Sequence, residues 1–139
     1  MANADPYEAG EGRGALVARV TELWVYPVKS LRGHRVERAT LVERGFAHDR
    51  GWMVVDAQGK MVTQRTVPRM ATVSARVDEE RGLLLLRDEA GAHGEVTTTA
   101  RFEPGYPTGS ERAVRVWSDA VQAREADPRA SAWLRAVRG

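Results

Sequence analysis

Thr72-Val73-Ser74-Ala75-Arg76-Val77-Asp78-Glu79-Glu80-Arg81-Gly82-Leu83-Leu84-Leu85-Leu86 sets the fold class of this 139-residue chain. Val73, Ala75 and Val77 alternate with polar neighbours, the two-residue period of a strand with one buried face. Asp78 to Gly82 is charged and ends in glycine, which suits a solvated turn. The leucine run fits a short buried strand, although periodicity alone leaves a helical turn open for it. Outward from this unit the pattern repeats. Glu95 to Thr99 is rich in Val and Thr, and Val114, Val116 and Trp117 predict a last strand. On the other side, Leu23 and Val25 alternate with Trp24 and Tyr26 until Pro27 ends the strand. Val36 to Val42, closed by Gly45, is a further candidate. Trp52 to Asp56 and Met61 to Thr63 predict a hairpin around Asp56-Ala57-Gln58-Gly59-Lys60.

Short strands at close spacing predict a mainly β chain, a small barrel or sandwich. Asp127-Pro128 then opens a short C-terminal helix, with aspartate at the N-cap and proline at the first helical position. Ala132, Trp133, Ala136 and Val137 are expected to form its buried face, and Gly139 its C-terminal cap. Residues 1–17 are expected to form a flexible leader to a domain over 18–139. Phe102 to Gly109, with two prolines and two glycines, reads as a loop.

The formal charge is +2 with 29% charged residues, and the arginines are interleaved with acids. That is a mixed-charge surface rather than the basic stripe of a nucleic-acid binder. The chain has no cysteine, which excludes disulfides, thiolate zinc sites and a cysteine nucleophile within it. No apolar run is long enough to span a bilayer and no secretory signal is visible, so a cytoplasmic location is the expectation. His34, His48 and His93 lack metal-ligand spacing, and no serine stands in a nucleophile elbow.

Against this background Lys29 stands out. Lys29 and Lys60 are the only lysines among 21 basic residues. Lys29 follows an apolar strand, within Tyr26-Pro27-Val28-Lys29-Ser30. A compact ammonium on a flexible stem is a point-charge binder of phosphate, a role that arginine does not duplicate. The competing expectation is an exposed strand-end lysine with no partner. Arg50 offers a rigid fork for an anion, or else a salt bridge to Asp49. Asp49 suits an Asx-type turn or an anchor for that fork. Ser30 offers one hydroxyl, or caps a turn after Pro27. Arg65, at a strand end, is a secondary candidate for lining an anionic pocket. Trp24, Trp52 and Trp117 are expected in the core or at its rim, and Trp133 is expected to dock the helix.

Four stretches in order carry a family resemblance. They are Leu23 to Gly33, Arg44 to Asp56, Val62-Thr63-Gln64-Arg65 with Pro68-Arg69, and Val116-Trp117-Ser118-Asp119 followed by the Trp133-Leu134 helix. Together they resemble the N-terminal β-barrel domain that precedes a MOSC domain. That pairing occurs in molybdenum cofactor sulfurases, the mitochondrial amidoxime reducing component and its bacterial relatives. The resemblance covers roughly Ala18 to Val137. It implies a small β-barrel and a share in holding the molybdenum cofactor (molybdopterin), a pterin with a terminal phosphate and a dithiolene. It carries cofactor contacts onto Lys29, Ser30 and Arg50. In the family's reductases a cysteine of the following MOSC domain holds the metal. This chain has no cysteine, and the following MOSC domain is expected to lie outside it.

The resulting expectation is one half of an oxidoreductase or of a protein that handles cofactor sulfur. It contributes cofactor binding and substrate recognition but is not catalytic alone. Its partners would be the C-terminal MOSC domain of the same parent protein and a redox partner. The alternatives are a non-catalytic barrel that binds a protein or single-stranded nucleic acid, and a purely architectural shield for the MOSC domain.

Overall fold

The computed structural model describes residues 18–101 and 109–139. The expected leader and most of the Phe102–Gly109 loop lie outside the described residues.

The predicted strand–turn–strand unit is the centre of the fold. β5 (Val73–Asp78), β6 (Leu83–Asp88) and β7 (Glu95–Thr99) form an antiparallel sheet in that order. The register sets Ala75 opposite Leu86 and Leu86 opposite Val96, and sets Val77 opposite Leu84 and Leu84 opposite Thr98. Successive side chains of a strand point to opposite faces, so these rows share one face. Val73, Ala75, Leu84 and Leu86 on that face are buried, while Leu83 and Leu85 opposite are half-buried. Partial cover on both faces explains why the leucine run shows no alternation in sequence.

The remaining strands form smaller antiparallel pairs. β1 (Leu23–Val25) pairs with β2 (His34–Val36), and β3 (Leu41–Val42) with β4 (Gly45–Phe46). β8 (Glu111–Val116) pairs with β9 (Asp119–Arg124). Single bridges join the pieces: Arg32 to Ser74, Val28 to Trp52, and Lys60 to Arg115. Val28, Leu31, Val62, Met70, Val73, Ala75, Leu84, Leu86, Ala100 and Val137 form one core cluster. The chain is therefore mainly β with one C-terminal helix, as expected.

Several boundaries differ from expectation, each for a local reason. The Val36–Val42 candidate is two strands, because the ladder with β1 ends at Val36 and a separate hairpin begins at Leu41. Trp52–Asp56 and Met61–Thr63 meet in a hairpin but make only the Val55–Met61 bridge. The Asp56 carboxylate accepts hydrogen bonds from the Gln58 and Lys60 N–H groups at 3.0 and 2.8 Å. That tightens the turn, and Trp52 leaves the hairpin to pair with Val28. Strand β9 was not anticipated, because Trp117-Ser118 carries no sequence sign of a turn. Trp117 takes φ 56° there, a conformation usually given to Gly or Asn in two-residue hairpin loops. It is 65% exposed at the hairpin tip, not in the core. Trp24 is also largely exposed, while Trp52 packs against the core.

Helix α1 (Pro128–Arg138) begins and ends as expected. Asp127 accepts the Arg129 N–H at 2.7 Å, and the Gly139 N–H returns to the Arg135 carbonyl. Its buried face is shifted from the expected one. Ala130, Trp133, Leu134 and Val137 face inward, whereas Ala132 and Ala136 are exposed. Trp133 docks the helix through its ring and by donating Nε1–H to the His93 carbonyl at 2.8 Å. No helix among the described residues is long and apolar enough to cross a membrane.

A candidate anion site where two loops are zipped together

Lys29, Ser30 and Arg50 come from segments far apart in sequence that the backbone draws together. Pro27 has no N–H, so the Tyr26–Pro27 stretch meets its neighbour mainly through carbonyls. The Tyr26 carbonyl accepts from Arg50 N at 2.7 Å and the Pro27 carbonyl from Trp52 N at 3.2 Å. Lys29 N then donates back to the Trp52 carbonyl at 2.9 Å. Val28 and Leu31 are buried in the core, which pins the two polar residues between them at its edge.

This seam concentrates backbone strain. Of the four non-glycine residues with positive φ among those described, Ser30 (64°), His48 (62°) and Arg50 (52°) lie here. Each such residue costs roughly 1–2 kcal/mol relative to an ordinary conformation. Ser30 sits third in a turn closed by Leu31 N donating to the Val28 carbonyl at 3.2 Å, a place that glycine fills without strain. Its hydroxyl makes no protein hydrogen bond among the described residues, so local structure gives no reason for serine over glycine. Ser30→Gly is accordingly expected to raise stability by about 0.5–1 kcal/mol in urea unfolding. A loss of stability would show that the serine supports the fold.

The two cations have different surroundings. The Arg50 guanidinium lies 5.1 Å from the centre of the Tyr26 ring, within cation–π range. Its Nη1 also donates to Asp49 Oδ2. The other carboxylate oxygen, Oδ1, accepts the Tyr26 N–H at 2.8 Å. Asp49 thus makes the expected ion pair with Arg50 and anchors it to β1's end, rather than closing an Asx turn on its own backbone. Lys29 is half-buried, and no acidic side chain pairs with its ammonium among the described residues. Arg65 is exposed in the separate Thr63–Val67 turn, and no hydrogen bond joins it to Lys29, Ser30 or Arg50. An open groove of about 640 Å³ runs beside His48, lined also by Glu79, Glu80 and Arg101. His48 Nε2 lies 3.5 Å from Glu79 at its rim.

One polar cluster escaped sequence reasoning. Asp88 is buried on β6 and accepts hydrogen bonds from Ala90 N, His93 N and His93 Nδ1 at 3.1, 3.2 and 3.0 Å. Arg69 Nη2 lies 3.6 Å away. The His93 hydrogen bond holds the carboxyl below the usual carboxylate range, against the opposing effect of burial. The cluster ties the Pro68–Thr72 turn and the β6–β7 turn to α1 through the His93 carbonyl. Only the four-residue gap between Asp88 and His93 could have signalled it, and that spacing is common in turns.

Comparison with known proteins gives the site its setting. A family model described as the MOSC N-terminal beta barrel domain matches residues 17–138. Molybdenum cofactor sulfurase of Homo sapiens is 29% identical over 127 residues, which cover 91% of this chain and 14% of that protein. Molybdenum cofactor sulfurase of Arabidopsis thaliana is 45% identical over 60 residues, 43% of this chain and 7% of that protein. Mitochondrial amidoxime-reducing component 1 of Mus musculus is 35% identical over 68 residues, 46% of this chain and 20% of that protein. The chain thus spans a small part of the length of each of these relatives. Since the family model takes in nearly the whole chain, the Lys29–Arg50 seam included, the protein belongs to the MOSC N-terminal β-barrel domain family.

Proposed function

We propose that this domain forms one wall of a molybdenum cofactor site, in which Lys29, Ser30 and Arg50 hold an anionic part of the cofactor. The observation that carries the reading is the seam itself. It gathers a half-buried ammonium without an acidic partner among the described residues, an unengaged hydroxyl and a guanidinium on a strained backbone. Strain of this kind collects at ligand sites, where surrounding structure over-determines it. The names of the relatives supply the ligand class.

The donor set fits the phosphate of such a cofactor. Lys29 would contribute a point charge, Ser30 one hydroxyl donor, and Arg50 those N–H groups that Asp49 leaves free. The cofactor supplies the redox or sulfur chemistry when bound. This chain's residues bind and orient it and limit the approach of water. Having no cysteine, the chain offers no thiolate to a metal. The metal ligand would come from a MOSC domain of the same parent protein, which would be an oxidoreductase or a sulfur-handling protein. Arg65 has a place in this reading only as a contact from beyond the seam.

The test is a fusion of this domain to a MOSC domain, purified with its cofactor. Lys29→Ala combined with Arg50→Ala is expected to lower pterin content, read by fluorescence after oxidative release, by at least about tenfold. Removing two charge-assisted hydrogen bonds accounts for that size. Unchanged pterin content in a folded double variant would sink the assignment.

A further inference from the structure

We infer that Asp49 is a positioning residue for Arg50, and that the acid beside this anion site strengthens anion binding rather than opposing it. The inference rests on the anion-site reading above. Its basis is the geometry of one carboxylate shared between two loops. Asp49 Oδ1 takes the Tyr26 N–H at 2.8 Å while Oδ2 takes Arg50 Nη1. The Arg50 backbone N–H in turn donates to the Tyr26 carbonyl at 2.7 Å. Both backbone polar groups of Tyr26 are therefore engaged by the Asp49-Arg50 dipeptide. The same pair lays the guanidinium over the Tyr26 ring. The ring has its place because Gly33 leaves room for it: a Cβ on Gly33 would lie 2.6 Å from Tyr26 Cδ1.

Arg50 is consequently held at two points although its side chain is 55% exposed, while Asp49 is 19% exposed. An exposed arginine otherwise samples many rotamers, and an anion must pay to order it. With the fork already fixed by the carboxylate and the ring, that ordering is complete before the ligand arrives. Simple Coulomb reasoning gives the opposite sign, since a negative charge beside the site repels an anion. The sign of the Asp49 effect therefore separates positioning from mere proximity.

The experiment uses the isotope-labelled chain and titrates it with inorganic phosphate, followed by NMR. In the ligand-free protein the Arg50 Hδ protons are expected upfield, shifted by the Tyr26 ring current. Asp49→Asn keeps an oxygen for the Tyr26 N–H but removes the charge that grips Arg50. It is expected to collapse the upfield shift and to weaken phosphate binding by up to about tenfold, the cost of ordering a freed arginine side chain on binding. A tighter phosphate complex in Asp49→Asn, or an intact Arg50 shift, overturns the inference. Lys29→Ala serves as the arm for the underlying reading. If it leaves phosphate binding unchanged, the anion site falls, and the ligand-free Arg50 shift still decides the role of Asp49. Should Asp49→Asn fail to fold, Tyr26→Leu removes the platform and leaves the carboxylate. Phosphate affinity then falls severalfold if Arg50 must be held, and unchanged affinity counts against it.

Discussion

Asp88→Asn is expected to melt well below the parent at neutral pH, with the gap between them closing as pH falls into the acid range. The Asp88 side chain is wholly enclosed, and four donor groups converge on it. An asparagine would turn an NH₂ toward some of those donors, leaving buried hydrogen-bonding groups unmatched. Because His93 lowers the Asp88 pKa, the unfolded chain binds the proton more readily than the folded one. Stability from this group is therefore complete above the ordinary carboxylate value, and it is lost as pH falls through the lowered folded value. Thermal melts of parent and variant from pH 7 down to about pH 2 read both effects. Asp127, lowered chiefly by its hydrogen bond to Arg129, leaves part of the acid sensitivity in the variant. The near-ultraviolet signal of Trp133 should weaken as well, since its Nε1 is bonded to the His93 carbonyl. Equal melting temperatures at pH 7, or an unaltered acid limb in the variant, would contradict the role given to this cluster.

What sequence could show of this protein followed from how locally each feature is encoded. The β5–β6 unit and the bounds of α1 were legible because alternation, an acidic turn, an N-cap aspartate and a terminal glycine all act over a few residues. The inward face of α1 was not legible. Ala130 and Ala136 are chemically the same residue, yet the first is buried and the second exposed, a difference set by the docking of the helix and not by the residue. Hairpin β8–β9 was half legible, because Trp117 occupies a left-handed position that composition assigns to Gly or Asn. At the candidate site, the resemblance pointed to Lys29, Ser30 and Arg50, and backbone hydrogen bonds join their segments. The partners of Arg50 were harder to see. The Asp49 ion pair was foreseeable from adjacency, but the second bond to Tyr26 N spans 23 residues. No spacing rule reaches that far, and the Tyr26–Gly33 contact depends on the β1–β2 register.

Gly33→Ala should expose that dependence. Gly33 is buried, and its requirement is space rather than an unusual φ, since it is not among the positive-φ glycines. A methyl there would approach the Val25 carbonyl oxygen to 2.5 Å and the Tyr26 ring to 2.6 Å. The carbonyl belongs to β1, where Val25 is paired with His34, so it can yield only by disturbing the ladder. The ring can rotate away, but it then abandons the guanidinium of Arg50. Overpacking of this kind costs about 1–3 kcal/mol, to be measured by urea unfolding. A double-mutant cycle divides the cost between the two contacts. In a Tyr26→Leu background the smaller, flexible side chain can move, so Gly33→Ala should cost less there than in the parent by about 0.5 kcal/mol or more. Strict additivity would assign the whole penalty to the Val25 carbonyl and would remove the ring from the account of how Arg50 is held. A coupled result, together with loss of the Arg50 ring-current shift in Gly33→Ala, would tie a residue with no side chain to the placement of the site's guanidinium.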